Sequence, residues 1–470
     1  MDVEQIKKRQ MIKVFITEAI MVFSIIGLVV FLMMIASGYW INQDFTVERQ
    51  GLLQYASIPS GADVIIDGDP GWMQKTNNSK MLSAGEHTVT ITKDGYDSWT
   101  KKVNIEEGLL YRIAYPRLFL KERSIEKIRE LGGIKYSTIS PDCISALVLD
   151  NNSVFKLATL NSDDFKIKIL DINTESFKNY KINNILSFDW SGDSEKVLMN
   201  VQATVLNSEV NEWILINVKN PEKSMRISSA FNINIASAKF VDNSADNILI
   251  LEQNNMRKIN ISSQSVSAVL AENVMSMNVF GDNILFVAKN DNEKYVGVLE
   301  KNADESKKII DVHGDNVFVQ ESEFYGNKYM SIVDGDSVLL YEEVKSDYMS
   351  VEDGFEKKIE EKLSFMPTDF KIEKDGDFLF MKDGRKIAVL DMESEKVNEY
   401  EIENEKYGWI DGHMINTIDD AGTLIVYDYD GFNRREIAKN VTREWGAIIS
   451  ERWLYYVSDG WLIRENLLPE

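Results

Sequence analysis

The sequence predicts an all-β protein behind a single N-terminal transmembrane helix: a small β-sandwich, then an eight-bladed β-propeller, with seven blades as the alternative. Three observations carry this. Residues 19–39 hold no charge, residues 55–115 alternate as short strands, and residues 116–470 repeat. The repeat recurs at roughly 40–50 residues, the interval of propeller blades. A chain of 470 residues exceeds one core and implies at least two folded units. With 52 basic against 75 acidic side chains the net charge is −23, which argues against nucleic acid as a partner. One cysteine excludes an intrachain disulfide and a cysteine-cluster metal site. Three histidines leave few parts for metal or triad chemistry, and no cofactor is expected.

The anchor comes first. No Lys or Arg falls between Lys13 and Arg49. Ala19 to Tyr39 is 21 residues long, and at 1.5 Å per residue it extends about 30 Å, a bilayer core. We take residues 1–18 as a cytoplasmic N-terminus and 19–40 as a signal anchor, with Glu18 at one interface and Tyr39 and Trp40 at the other. Lys7, Lys8, Arg9 and Lys13 precede the span, while Asp44 and Glu48 follow it. The positive-inside rule then places the C-terminal bulk outside the cytoplasm, a cell-membrane, single-pass protein. A cleaved signal peptide using Ile35-Ala36-Ser37-Gly38 is the rival, but signal cores run only about 7–15 residues. The only cysteine, Cys143, lies far from the span, which excludes a lipoprotein anchor.

After a linker at 41–54, the alternation of residues 55–115 predicts strands at Ala62–Ile66, Thr88–Thr92, Ser98–Ile105 and Leu110–Ala114. Turn residues separate them: Pro59-Ser60-Gly61, Asp67-Gly68, Ser83-Ala84-Gly85 and Lys93-Asp94-Gly95. The expectation is a small antiparallel sandwich with an extended Asp69–Ser79 loop. Trp72 and Met73 in that loop are the candidate partner contacts, since an exposed Trp can anchor an interface, although a loop folded back on its own sandwich is the preferred reading of the same residues.

Pro59-Ser60-Gly61-Ala62, Val64-x-Ile66-Asp67-Gly68, Gly85-Glu86-His87-x-Val89 and Lys93-Asp94-Gly95-Tyr96 together resemble the PEGA domain of bacterial surface proteins. Ser60 replaces the family's Glu, and Thr76-Asn77 stands where Thr-Pro is usual. The resemblance implies an extracytoplasmic adhesion or scaffolding module without catalysis. His87, on an alternating strand, reads as a packed family residue rather than a ligand.

Beyond Leu120 each unit reads as four short strands. The first is expected at Lys135–Ser140, Ile144–Asp150, Lys166–Ile172 and Phe177–Ile182, and the second ends at Ser224–Ser228. The last unit has only three strands before the end of the sequence, so Arg123–Glu130 is expected to supply its fourth and close the ring. The charge-rich Glu352–Lys362 reads as a solvated helix or loop. Phe188-Asp189-Trp190-Ser191-Gly192-Asp193 and Ile139-Ser140-Pro141-Asp142 resemble the aromatic-Ser-Pro-Asp-Gly turns of the TolB-type, WD-like propellers. That resemblance implies recognition of proteins, peptides or glycans over a ring face, and only sometimes catalysis.

No catalytic constellation stands out. There is no GxSxG elbow, and His313 and His413 have no recognisable partner in sequence. Asp428-Tyr429-Asp430-Gly431, Asp334-Gly335-Asp336 and Asp375-Gly376-Asp377 lack calcium-loop spacing and read as hairpin turns, leaving weak calcium binding open. Cys143 occupies a turn position where Gly is common and is expected to be small and mostly buried. Two functions follow: a membrane-anchored envelope binding or scaffold protein recognising protein or glycan, or a propeller enzyme acting on cell-wall glycan through channel carboxylates.

Overall fold

The structure is a computed structural model that describes residues 3–36, 38–41, 47–71, 74–160, 166–172, 175–241, 246–281, 283–291, 293–300, 306–344, 354–373, 376–405, 407–442, 447–450 and 453–467. Contacts divide the chain into two compact units, one from the N-terminus through Arg123 and the other Ser124–Asn466.

Helix α1 (Val3–Ala36) opens the first unit. Strands β1 (Tyr39–Ile41) and β2 (Val47–Arg49) then form a small hairpin, so Tyr39 and Trp40 are strand residues rather than the helix end. The sandwich is two three-stranded sheets. One has the order β5 (Asn78–Leu82), β3 (Gly51–Tyr55), β8 (Leu110–Ile113); the other has β4 (Asp63–Ile66), β6 (Gly85–Thr92), β7 (Trp99–Ile105). Alternate side chains of both sheets meet inside, with Leu53, Val64, Val89, Ile91, Trp99, Val103 and Ile113 essentially inaccessible.

Three expectations change here. The C-terminal end of the expected 41–54 linker belongs to the sandwich, because Gly51–Tyr55 is the central strand of a sheet. Leu53 and Tyr55 are the residues that bind it to the core. Asn78 and Ser79, expected to end the loop, instead open a strand over Asn78–Leu82; with one apolar side chain pointing inward, Leu82, it carries almost no periodicity. The sandwich is not wholly antiparallel either, since β3 and β8 run parallel.

Among the described residues, the second unit consists of eight four-stranded antiparallel sheets, the blades of a β-propeller. Their first strands are Ile134–Ile139, Tyr180–Trp190, Ser237–Phe240, Val274–Phe280, Val317–Phe324, Asp369–Ile372, Tyr407–Asp411 and Ala447–Ser450, numbered here as blades 1 to 8. The first strands of blades 2 to 6 abut in turn, as do those of blades 7 and 8, so they form the inner edge of the ring. Blade 8 is completed by β9 (Ile125–Glu130), which pairs along Trp461–Asn466. The two ends of the unit therefore share one sheet, and the Arg464–Glu126 pair at 2.8 Å fastens it.

The second strands read as unbroken apolar runs because each is covered on both faces. In blade 3, Ile248 and Ile250 pack with Leu198, Trp213 and Leu215 of blade 2. Leu249 and Leu251 point the other way, to Met277, Ile284 and Phe286 of blade 4. Blade 4 repeats the device, with Leu285 and Val287 facing Val319, Met330 and Ile332 of blade 5.

Local corrections have local causes. Blade 1 uses Phe155–Thr159 and Ile167–Ile169 as its outer strands, and the Phe177–Ile182 segment leads instead into the inner strand of blade 2. That strand carries two register shifts, which break its alternation. Met225–Arg226 is only a short strand, and Ile227–Phe231 is helical. Gly354–Lys362 is the outermost strand of blade 5, neither helix nor loop; only Ile359 is buried on it, so its sequence looks solvated.

Candidate functional site

The ring's inner edge is where a propeller gathers side chains, and here several of them, most of them polar, act as struts between neighbouring blades. Trp190 Nε1 of blade 2 donates to Thr138 Oγ1 of blade 1 at 2.9 Å. The Phe240 amide of blade 3 donates to Asp189 Oδ2 of blade 2 at 3.0 Å. Lys239 Nζ of blade 3 donates to Asn278 Oδ1 of blade 4 at 2.9 Å, and Asn283 Nδ2 of blade 4 donates to Glu321 Oε2 of blade 5 at 2.9 Å. Phe318 stacks on Phe370 between blades 5 and 6, and the Tyr407 hydroxyl donates to Asp369 Oδ2 between blades 7 and 6. Burial pushes the Asp189 carboxyl above its ordinary value, with the Phe240 amide and Lys239 only partly offsetting it. Burial likewise pulls Lys239 down; Asp189 opposes this and Lys371 adds to it. Glu321 is raised by burial, against the hydrogen bond from Asn283 and the nearby Lys328. The carboxylates of this belt are thus engaged across blade boundaries, an arrangement that holds the ring together.

The motif-bearing turns lie between first and second strands. Ser140 and Ser191 behave alike: each hydroxyl donates to the Asp two residues on, Asp142 or Asp193, and accepts the amide of Ser145 or Lys196 at 2.9 Å. The fourth residue is left-handed in both, Cys143 at φ 58° and Ser194 at φ 58°. Cys143 is therefore at the glycine-type position, but it is half-buried rather than mostly buried. Antiparallel order brings first–second and third–fourth turns to the same face. That face exposes Ile144, Tyr325 and Phe432 on blades 1, 5 and 7, with Tyr325 at 72%.

The other residues singled out from sequence are dispersed. Trp72 and Met73 lie outside the described residues. His87 bridges Asp67 Oδ2 at 2.6 Å and the Ser83 carbonyl at 2.9 Å. The His313 amide donates to the Asp334 carboxylate, which pins the connection between blades 4 and 5. His413 is in a turn rather than within a strand, edge-on to Phe378 at 5.4 Å. In the Asp428–Gly431 turn, Asp428 Oδ2 accepts from Asn433 at 2.8 Å and Asp430 Oδ1 accepts the Phe432 amide at 3.2 Å, as in a hairpin. Among the described residues no group of three or more His, Cys, Asp or Glu is arranged to hold a metal. Sequence reasoning missed the inner belt. Its one signal was a charge beside the aromatic residue that ends an inner strand, Asp189 before Trp190 and Lys239 before Phe240.

Residues 51–116 match the PEGA domain family. No curated protein matches the chain. Among solved structures, the C-terminal WD40 domain of Sif2 is 14% identical, with 74% of this chain and 99% of that one covered and a TM-score of 0.47. The β-propeller domain of Cps50 (Swd1) from Myceliophteria thermophila is 9% identical, covering 73% and 99%, with a TM-score of 0.42. Dihydro-heme d1 dehydrogenase NirN, in complex with DHE, is 10% identical, covering 76% and 72%, with a TM-score of 0.41. The propeller assignment rests on the eight sheets themselves. The chain carries a PEGA domain at residues 51–116 followed by a β-propeller.

Proposed function

We propose that this is a membrane-anchored, extracytoplasmic binding or scaffold protein of the cell envelope. Helix α1 tethers it, the PEGA domain is the stalk, and the propeller presents a recognition surface to protein or glycan. The observation that carries the reading is the segment Lys13–Met34, with a mean hydropathy of 2.5 and none of it buried against protein. Phe15 and Phe23 are 72% and 75% exposed on it. Water is a poor solvent for such a helix, and a bilayer core is a good one. Lys7, Lys8, Arg9 and Lys13 on its N-terminal side support a cytoplasmic N-terminus. The polar struts of the inner ring support a rigid platform rather than a reacting centre.

Two experiments test this. Alkaline carbonate extraction with protease protection of intact cells should leave the chain in the membrane fraction and its C-terminal bulk digestible from outside. Release into the soluble fraction, or protection of the bulk, overturns the topology. Affinity capture from envelope extracts should return a repeatable protein or wall polymer, and steady turnover of wall glycan by the full chain would instead move the assignment to an enzyme.

A further inference from the structure

The outward face of the sheet β5-β3-β8 is not uniformly polar. Leu52 of β3 pairs with Met81 of β5 on one side and Leu110 of β8 on the other. Leu52 and Met81 point outward because their strand neighbours Leu53 and Leu82 point into the core, and Leu110 does so because Ile113, three residues on, points in. With strands about 4.8 Å apart, the three side chains form one continuous apolar row. Met81 is 40% and Leu110 58% exposed, and Leu109 beside them is 57% exposed. Two residues further along the strands the next outward row is Ser79, Gln54 and Arg112, which is wholly polar.

The apolar row is at the end where α1 arrives. The Gln50 amide donates to the Gly38 carbonyl at 2.8 Å, just past the helix end. The Gly108 amide donates to the Gln50 carbonyl at 3.0 Å, and the Leu52 amide donates to the Leu109 carbonyl at 2.9 Å. A Cβ on Gly38 would stand 3.7 Å from Met81 Cε. Helix exit and apolar row are therefore joined through one hydrogen-bonded segment. Tyr39, 39% exposed with the Arg49 guanidinium 5.9 Å from its ring centroid, extends the same edge.

We propose that this row is a lipid-docking surface: Met81, Leu52, Leu110 and Leu109 enter the interface of the bilayer that α1 crosses, and Arg112 lies at the level of the phosphates. The occupant is the bilayer because the row is continuous with the helix that enters it, and because polarity rises with distance from that helix. Amphipathic surfaces bury their apolar side about 5–10 Å into the headgroup boundary, and the two rows are about 7 Å apart along the strands. Arginine stems reach from such a layer to water or phosphate. The inference rests on the anchor reading above.

The test uses the full chain with Cys143→Ser, a residue the equivalent turn already accepts at Ser194, so that one introduced cysteine carries an environment-sensitive fluorophore. Labels go on Phe23→Cys in the helix, Leu109→Cys in the row, and Asp94→Cys in the exposed turn after β6. The protein is reconstituted into phosphatidylethanolamine and phosphatidylglycerol vesicles, with and without lipids spin-labelled near the top of the acyl chain. The expected result is blue-shifted emission and lipid-dependent loss of signal at positions 23 and 109, with neither at 94. Quenching at 23 but not at 109 overturns the docking surface and leaves the anchor standing. No quenching at 23 overturns the anchor and this inference with it. A blue shift at 109 that ignores the spin-labelled lipid, or that grows with protein density, assigns the row to a protein neighbour and overturns lipid docking.

Discussion

His87 should make the PEGA domain sensitive to pH in a direction the structure fixes. Its Nδ1 faces Asp67 Oδ2 at 2.6 Å and its Nε2 faces the Ser83 carbonyl at 2.9 Å, so both ring nitrogens meet acceptors. Only the imidazolium donates at both positions. The ring is nearly buried and Asp67 half exposed, with side-chain accessibilities of 12% and 51%. Burial alone would lower the His87 pKa, but the bonds to Asp67 and Ser83 outweigh it and hold the value above 6.5. Asp67 is held below its ordinary 3.8 by His87 and by the Thr88 amide. A raised histidine contributes stability that is complete below pH 6.5 and is lost as pH climbs through the folded-state pKa. A depressed aspartate contributes stability present above pH 3.8 and lost as pH falls through its folded-state value. The domain should therefore be most stable in the mildly acidic window between them.

His87→Gln removes both charge-assisted bonds of the imidazolium, of which the one to Asp67 is worth roughly 1.5–3 kcal/mol when buried. Solvent at Asp67 brings the expected loss to about 1 kcal/mol. The readout in the full chain is protection of the Thr88 amide, which donates to Asp67 Oδ1 at 2.8 Å. After correction for intrinsic rate, exchange should quicken several-fold in the variant at pH 5.5, and less at pH 8. The ring resonance that disappears in His87→Gln should titrate above 6.5 in the wild type. Titration at or below 6.5, or equal effects at both pH values, would refute the reasoning.

Gly297→Ala should destabilise the propeller by about 1–3 kcal/mol through overpacking. The new Cβ would stand 2.4 Å from Cζ of Phe286, a ring with no exposed surface. Denaturant midpoints check this, and Phe286→Leu in the same chain should recover part of the loss; full additivity would contradict the contact. Cys143→Gly should raise the propeller's thermal midpoint by an amount equivalent to at most about 1 kcal/mol, since φ 58° favours glycine. A fall in midpoint would show that the thiol's packing outweighs the backbone. Asp189→Ala should cost about 1–3 kcal/mol at neutral pH by stranding the Phe240 amide, whereas Asp189→Asn should cost less. Equal losses in the two variants would mean that charge, not the hydrogen bond, is what the strut supplies.

The parts of the fold legible in sequence were those where burial writes a pattern. Ile248 to Leu251 had to be apolar on both sides because two blades cover them, and the repeat of such runs announced the propeller. The exposed outer strands write almost none. Gly354–Lys362 buries Ile359 alone, and β9 has no buried residue at all. Strand β9 was nonetheless found, because three strands at the end of the repeat required a fourth, while Gly354–Lys362 had no such arithmetic behind it. The inner belt was hidden for another reason. Lys239 and Asn278 meet across 39 residues and two blades, and nothing in either local sequence encodes the partner.

Charge and apolarity pull the proposed stalk in opposite directions, and the tether decides between them. A chain of net charge −23 is repelled by anionic lipid, most strongly at low salt. Fully burying one leucine-sized side chain gains about 1.5–3 kcal/mol, so four partly inserted ones offer only a few kcal/mol. Free in solution, that would give weak and salt-sensitive membrane binding. Beside an inserted helix the encounter is intramolecular, at an effective concentration in the millimolar range, and a few kcal/mol suffice to keep the face down. The row therefore adds nothing to whether the protein is on the membrane. It sets which way the PEGA domain faces there, and substitutions at Leu109 and Leu110 should change label depth and orientation without changing the membrane-bound fraction.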